Sequence, residues 1–198
     1  MAYRDLRAFL DDLREAGELA HVEVEVDPNQ EIGAICRKVY REGGPALLFE
    51  RVKGTDISFA ANVFGSPGRI ARGFGCDTYE TLGDKGSDLT GRGGIPPTLV
   101  ADAPCQEVLT DGDGPLLDLI PWPVWNENDA GPHITLGVCI GRDRESGHHN
   151  AAPNRMLRLD GRRATMNFAP GRDLGILRSK YIEAGSPCPR PWPSAWTS

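Results

Sequence analysis

The sequence predicts a mixed α/β (α+β) protein in two parts: an N-terminal α/β segment, then a β-rich region closed by a helix. Three observations carry this. Helical and strand periodicities alternate up to about residue 65. A glycine-rich stretch, LGDKGSDLTGRGGIPP at 82–97, then interrupts the pattern and reads as a connector. Beyond it, apolar strand patterns dominate until a last helix. A chain of 198 residues can bury roughly 70% of its unfolded surface, enough for one or two domains. The expected divisions are an N-terminal domain over 1–100, a second domain over 101–189 and an atypical tail over 190–198.

Each element follows from its own pattern. In YRDLRAFLDDLREAG, Leu6, Phe9, Leu10 and Leu13 share a helical face, and Gly17 can cap the end. In HVEVEVD, Val22, Val24 and Val26 alternate with acids, as in a half-buried strand. After the Asp27-Pro28 turn, QEIGAICRKVYREGG turns Ile32, Ile35 and Val39 inward as a second helix. ALLFERV and ISFAANVF read as further strands. GSPGRIARGFG has two readings: a helix from Ser66 with Pro67 at its first position, or a loop with one basic turn. ITLGVCIGRD reads as a buried strand, MLRLDGRRATMNF as a hairpin turning at Asp160-Gly161, and RDLGILRSKYIEAG as a helix capped by Gly185. Together they read as a small β-barrel or curled sheet followed by a helix, with SGHHNAAPNR at 146–155 as the loop that joins the first strand to the hairpin.

Composition narrows the function. Hydrophobic residues at 39% and charged residues at 25% describe an ordinary globular chain. A net charge of -6 without a basic stripe argues against a nucleic-acid partner. No run approaches the roughly 20 apolar residues of a membrane helix, and the N-terminus lacks an apolar signal core. The cysteines number five, without a CxxC pair, which fits a reducing cytoplasm better than a disulfide framework or a zinc site.

Two segments carry candidate chemistry. His148 and His149 are neighbours, so an extended backbone points them to opposite faces, and they read as solvent-facing turn residues. The Asn150 amide oxygen can ligate a hard cation such as Mg²⁺ or Mn²⁺, or can simply cap a turn. Arg155 opens the next apolar run, either as a surface charge or as an inward anion binder. In APGRDLG, Pro170-Gly171 turns the chain and a helix begins near Arg172. Free helix-start N–H groups beside an arginine suit a phosphate. Asp173 either complements the helix dipole or joins Asn150 around a cation that bridges to that phosphate.

PLLDLIPWPVWNENDAGPHIT from Pro115, followed by CIGRDRESGHHNAAPNR and PGRDLG, resembles the UbiD-type decarboxylases, which use prenylated FMN. DLRAFLDDLREAGELAHV, GGPALLFERVKG and ANVFGSPGRIA are similar to that family's opening domain, so the likeness runs from residue 1 to about 189. The resemblance implies a flavin-binding split β-barrel after the N-terminal domain, here truncated. It implies reversible decarboxylation of aromatic or α,β-unsaturated acids in the cytoplasm, with Mn²⁺ and room for K⁺. It also implies a prenyl-FMN synthase as cofactor supplier and a homo-oligomer for the full-length protein.

Residue by residue, Asn150 matches the family's metal-binding asparagine, and Arg155 matches the arginine that contacts the cofactor and assists the catalytic carboxylates. Pro153, Asn154 and Arg155, then Asn167, Phe168 and Ala169, and finally Arg172 match segments lining the flavin. Asp173 stands where members often carry a metal-ligating histidine. The family's third ligand, a glutamate, and its acid–base carboxylates are expected beyond Ser198. The tail CPRPWPSAWTS departs from the family's apolar strand. Back-translated with G/C-rich codons and read from the third base of the Arg190 codon, it becomes Ala-Val-Ala-Ile-Gly-Met-Asp-Val. It is therefore read as the product of a shifted frame, against a natural proline-rich tail. Two function classes stand: an enzyme represented by its N-terminal part, or a non-catalytic flavin-binding or structural fragment.

Overall fold

The computed structural model describes residues 3–91, 98, 100–101, 107–108, 110, 114–187 and 192–194. The chain divides into two compact units, Met1–Asp102 and Ala103–Ser198.

In the first unit, α1 (Leu6–Glu15) is opened by Asp5, whose carboxylate accepts the Ala8 N–H at 2.9 Å. Its buried face is Phe9 and Leu13, and Gly17 continues past the end at φ 71°. Strand β1 (Leu19–Val22) pairs in parallel with β2 (Ala46–Phe49), and the crossover is α2 (Glu31–Arg41). The third strand, β3 (Phe59–Ala61), pairs antiparallel with β2, giving the order β1-β2-β3. The expected Val22-Val24-Val26 strand is displaced. β1 ends at Val22, Val24 is 68% exposed, and Val26 is buried at an isolated bridge to Val52. Two-residue alternation alone cannot register where the ladder partner β2 stops.

Of the two readings of GSPGRIARGFG, the helix holds. The third helix, α3 (Pro67–Gly73), starts at Ser66, whose hydroxyl accepts the Arg69 N–H at 3.2 Å. The glycine-rich connector begins instead as α4 (Leu82–Gly91), a helix with no buried residue. Residues 92–97 of that connector lie outside the described residues.

The second unit is a four-stranded antiparallel sheet of order β6-β5-β4-β7. Its strands are β4 (His133–Arg142), β5 (His149–Arg158), β6 (Ala164–Met166) and β7 (Trp192–Ser194). SGHHNAAPNR is therefore mostly strand, because β5 pairs continuously with β4 from His149↔Arg142 to Asn154↔Gly137. β6 reaches only Met156–Arg158 of β5. Pro153 thus lies where that flank of β5 is an edge, the position a sheet allows a residue without N–H. The hairpin also differs from expectation. Asp160 accepts the Arg162 and Arg163 N–H groups at 2.8 Å each, so Leu159–Arg163 forms a longer Asx-type loop rather than a two-residue turn. The backbone of the tail pairs with β4 at Ile140↔Trp192 and Val138↔Ser194, so that flank of β4 is partly covered. The rest of residues 190–198 lies outside the described residues.

Helix α5 (Asp173–Glu183) lies against one face of this sheet. That face carries Ile134, Cys139 and Met156, and Leu174, Leu177 and Trp122 complete the cluster. Burying each leucine is worth about 1.5–3 kcal/mol. Two glycines permit the approach. A Cβ on Gly141 would stand 2.9 Å from Leu174 and 3.0 Å from Leu177; one on Gly175 would stand 2.3 Å from the Ala169 carbonyl oxygen. The second obstacle is backbone and cannot swing aside. Gly175→Ala is expected to cost about 1–3 kcal/mol through displaced packing, read as a lower urea midpoint at unchanged m-value. An unchanged midpoint would refute the close approach.

Candidate functional site

The β4–β5 hairpin and the start of α5 build the site. Along β5, residues 150, 152, 154 and 156 are half-buried or buried, while 149, 151, 153 and 155 are exposed. Asn150 therefore faces the helix, opposite Gly141 in register. Its side-chain Nδ2 donates to Asp173 Oδ2 at 2.8 Å. Asp173 is the first residue of α5, where a carboxylate complements the helix dipole. Asn150 Oδ1 is buried and has no hydrogen-bond partner among the described residues. An orphaned buried acceptor costs about 1–3 kcal/mol, so an electropositive partner is the chemistry it lacks.

The turn into α5 is also prepared. Gly171 takes φ 78°, a conformation glycine adopts without strain. The Arg172 N–H donates to the Ala169 carbonyl at 3.2 Å, and no side chain caps the helix start. Arg172 is exposed, and free first-turn N–H groups with an arginine at a helix start are groups that could hold an anion.

The other candidates fall in three places. Arg155 and Pro153 are exposed on the face of β5 opposite Asn150, so Asn150, Arg155 and Arg172 do not converge on one face. Arg155 stands across from a bulge in β4, where Thr135 and Leu136 fill the gap between the Ile134↔Met156 and Gly137↔Asn154 pairs. Asn154 shares the Asn150 face, and its Nδ2 donates to the Ala152 carbonyl at 3.2 Å. Asn167 and Ala169 are exposed on the segment after β6, whereas Phe168 packs on the core with the Arg178 guanidinium 5.6 Å from its ring centre.

Two polar groups that the sequence reading missed organise the hairpin. Asp143 accepts the Glu145 and Ser146 N–H groups at 2.8 and 3.1 Å and the Lys180 ammonium at 2.7 Å. Lys180 also reaches Glu145 at 2.7 Å, and the Tyr181 hydroxyl donates to the Arg142 carbonyl at 3.1 Å. An Asp two and three residues before Glu145 and Ser146 is an Asx-turn signal that RDRESG carries openly. The Lys180 contact has no local signature.

Asn150 and Asp173 supply two hard oxygens, the donor type that Mg²⁺ and Mn²⁺ accept. They fit part of a cation shell, with the orphaned Oδ1 as the telling atom. Among the described residues no three His, Cys, Asp or Glu side chains gather as a metal cluster. The three described cysteines, Cys36, Cys76 and Cys139, are free thiols.

Lys180, with the Glu145 and Ser146 N–H groups, holds the Asp143 carboxyl down at about 2. Because the folded value lies below the unfolded one, near 3.9, this contact stabilises the fold above pH 4 and is lost as pH falls toward 2. Asp143→Asn is expected to melt lower than the parent at neutral pH, with the difference closing near pH 2. Parallel melting curves at every pH would remove Asp143 from this role.

The fold is shared with known proteins. Residues 10–88 match the 3-octaprenyl-4-hydroxybenzoate carboxy-lyase N-terminal domain, and residues 98–194 match the Rift-related domain of the same carboxy-lyase. The fold is similar to an evolved dimeric form of the UbiD-class enzyme HmfF from Pelotomaculum thermopropionicum in complex with prFMN, at 31% identity and TM-score 0.86 over 94% of this chain and 43% of that one. It is also similar to the closed form of Sedimentibacter hydroxybenzoicus vanillic acid decarboxylase, at 30% identity and TM-score 0.84 over 94% of this chain and 41% of that one. Apo Klebsiella pneumoniae 3,4-dihydroxybenzoic acid decarboxylase matches at 27% identity and TM-score 0.83, over 94% and 41%. The chain thus spans about two fifths of the length of these relatives. An α/β unit followed by an antiparallel sheet and helix, matched in order by both domains of one family, identifies the chain as a member of the UbiD family.

Proposed function

We propose that this chain carries the cofactor-phosphate and metal loop of a UbiD-type carboxy-lyase, which removes CO₂ reversibly from an aromatic or α,β-unsaturated carboxylic acid. The observation that carries the reading is the buried Asn150 Oδ1, without a hydrogen-bond partner among the described residues, beside Asp173 at the start of α5. Asn150 and Asp173 would hold Mn²⁺, with K⁺ as a further ion. Arg172 and the first-turn N–H groups would hold the phosphate of prenylated FMN. Pro153, Asn154, Asn167, Phe168 and Ala169 would line the flavin. When bound, the cofactor supplies the electron sink for decarboxylation. Arg155 would then bind the substrate carboxylate or orient the acid that protonates the remaining carbon.

The relatives' cofactors support this reading: one HmfF structure is a complex with prFMN and another with FMN. A prenyl-FMN synthase would supply the cofactor, and the full-length protein would work as a cytoplasmic homo-oligomer. No helix among the described residues is long and apolar enough to cross a membrane. The span of about two fifths of the relatives' length favours a second reading, a flavin-binding or structural fragment without turnover.

Two measurements separate these. Asn150→Ala is expected to weaken Mn²⁺ binding roughly tenfold or more, and to lower flavin retention on co-expression with a prenyl-FMN synthase. Unchanged Mn²⁺ titration and flavin spectra would sink the site. CO₂ release from the 198-residue chain, supplied with cofactor and Mn²⁺, is expected to stay near background, since general acid catalysis is worth about 10²–10⁴-fold and the acid is expected elsewhere. Family-level turnover by this chain would overturn the fragment reading and place the proton donor within it.

A further inference from the structure

Helix α5 touches the hairpin at its start, along its first two turns and near the hairpin tip, where Lys180 acts beside the Tyr181 hydroxyl that donates to the Arg142 carbonyl at 3.1 Å. At its start, Asp173 receives the Asn150 amide at 2.8 Å. In its first two turns, Leu174 and Leu177 lie on Gly141, the residue in register with Asn150. Seven residues after Asp173, and so on nearly the same helical face, Lys180 binds Asp143 and Glu145 at 2.7 Å each at the hairpin tip. The apolar middle contact fixes how near the helix lies. It does not fix the rotation about the helix axis, because leucine on glycine is a smooth contact without directional bonds. Rotation is fixed where directed groups meet, and the Asn150–Asp173 hydrogen bond is too exposed to do this alone.

We infer that Lys180 and Asp143 are positioning residues, an ion pair at the hairpin tip that sets the rotation of α5 and so brings the Asp173 carboxylate onto Asn150. The Asp143 side chain is only 15% exposed, which spares the pair much of the screening that weakens surface ion pairs. The same carboxylate holds the turn through the Glu145 and Ser146 N–H groups, so one residue links the hairpin's shape to the helix. The Asp143 N–H also donates at 2.7 Å to the carbonyl of His148, the residue just before β5 and two before Asn150. The choice of Mn²⁺ as ligand rests on the proposed carboxy-lyase function, whereas the positioning rests on the geometry alone.

The test uses Lys180→Met, with Lys180→Arg as the conservative rescue, in the 198-residue chain. The first readout needs no metal: the side-chain amide signals of Asn150 in a ¹⁵N–¹H spectrum, assigned by their loss in Asn150→Ala. They are expected to move in Lys180→Met toward their position in Asp173→Ala, and to return in Lys180→Arg. The second readout is Mn²⁺ affinity, expected to fall roughly 10–100-fold in Lys180→Met, as when an outer partner of a metal ligand is removed. If Lys180→Met fails to fold, Asp143→Asn carries the comparison, since it keeps the turn-capping oxygen and loses the charge. A lower melting temperature with unmoved Asn150 signals would make the pair merely structural and overturn the inference. Parent protein that binds no Mn²⁺ would defeat the proposed metal site, while the amide signals would still decide the positioning.

Discussion

The second unit depends on the close approach of α5 to β4. Leu174 and Leu177 occupy the space that a side chain at Gly141 would fill, and Gly175 lets the helix start press on the Ala169 carbonyl. Interiors pack to crystal-like density, so a methyl at Gly175 moves the helix off the Ala169 carbonyl, whereas one at Gly141 displaces the Leu174 and Leu177 side-chain ends. With the helix in place, Cys139, Ile134 and Met156 gain their cover. Asp173 comes within hydrogen-bond distance of Asn150 for the same reason.

That packing also creates the polar problem at the centre of the site. Bringing an apolar helix onto a strand buries whatever the strand points at it. At Asn150 this is a carboxamide whose nitrogen finds Asp173 and whose oxygen finds nothing among the described residues. Folding tolerates such a group when a bound partner removes the cost, which is why strain and unmet polarity gather at functional positions. Arg155, exposed across a β-bulge on the other face, faces no such demand.

The first unit meets a similar problem in part with its own residues, although Arg69 Nε is buried without a hydrogen-bond partner among the described residues. Arg69 of α3 is 4% exposed, yet its guanidinium reaches Glu18 Oε2 at 3.3 Å and the Gly44 carbonyl at 3.2 Å. These contacts tie α3 to the entries of β1 and β2. Arg72 on the same helix binds Asp12 of α1 at 2.7 Å, and the Tyr3 hydroxyl donates to the same carboxylate. Both ion pairs join segments far apart in sequence, so they specify which elements pack together rather than whether each one forms.

The sequence by itself determined α1, α2 and α5, the strands β2, β3, β4 and β6, and the mixed α/β class. Each of these rests on local periodicity, and the glycines Gly17 and Gly185 end α1 and α5 within a residue or two. It also singled out Asn150 and Asp173, because side-chain chemistry and the PGRD helix start are legible without coordinates. Tertiary structure decided the rest. The end of β1 at Val22, the extension of β5 back to His149 and the pairing of the tail with β4 all depend on where a partner strand stops, which no single strand encodes. The helix within the glycine-rich stretch shows the same limit on propensity. The separation of Arg155 from Asn150 follows from strand alternation once residues 149–158 are known to be extended. The Lys180–Asp143 pair, joining residues far apart in sequence, exists only because α5 folds back along the hairpin.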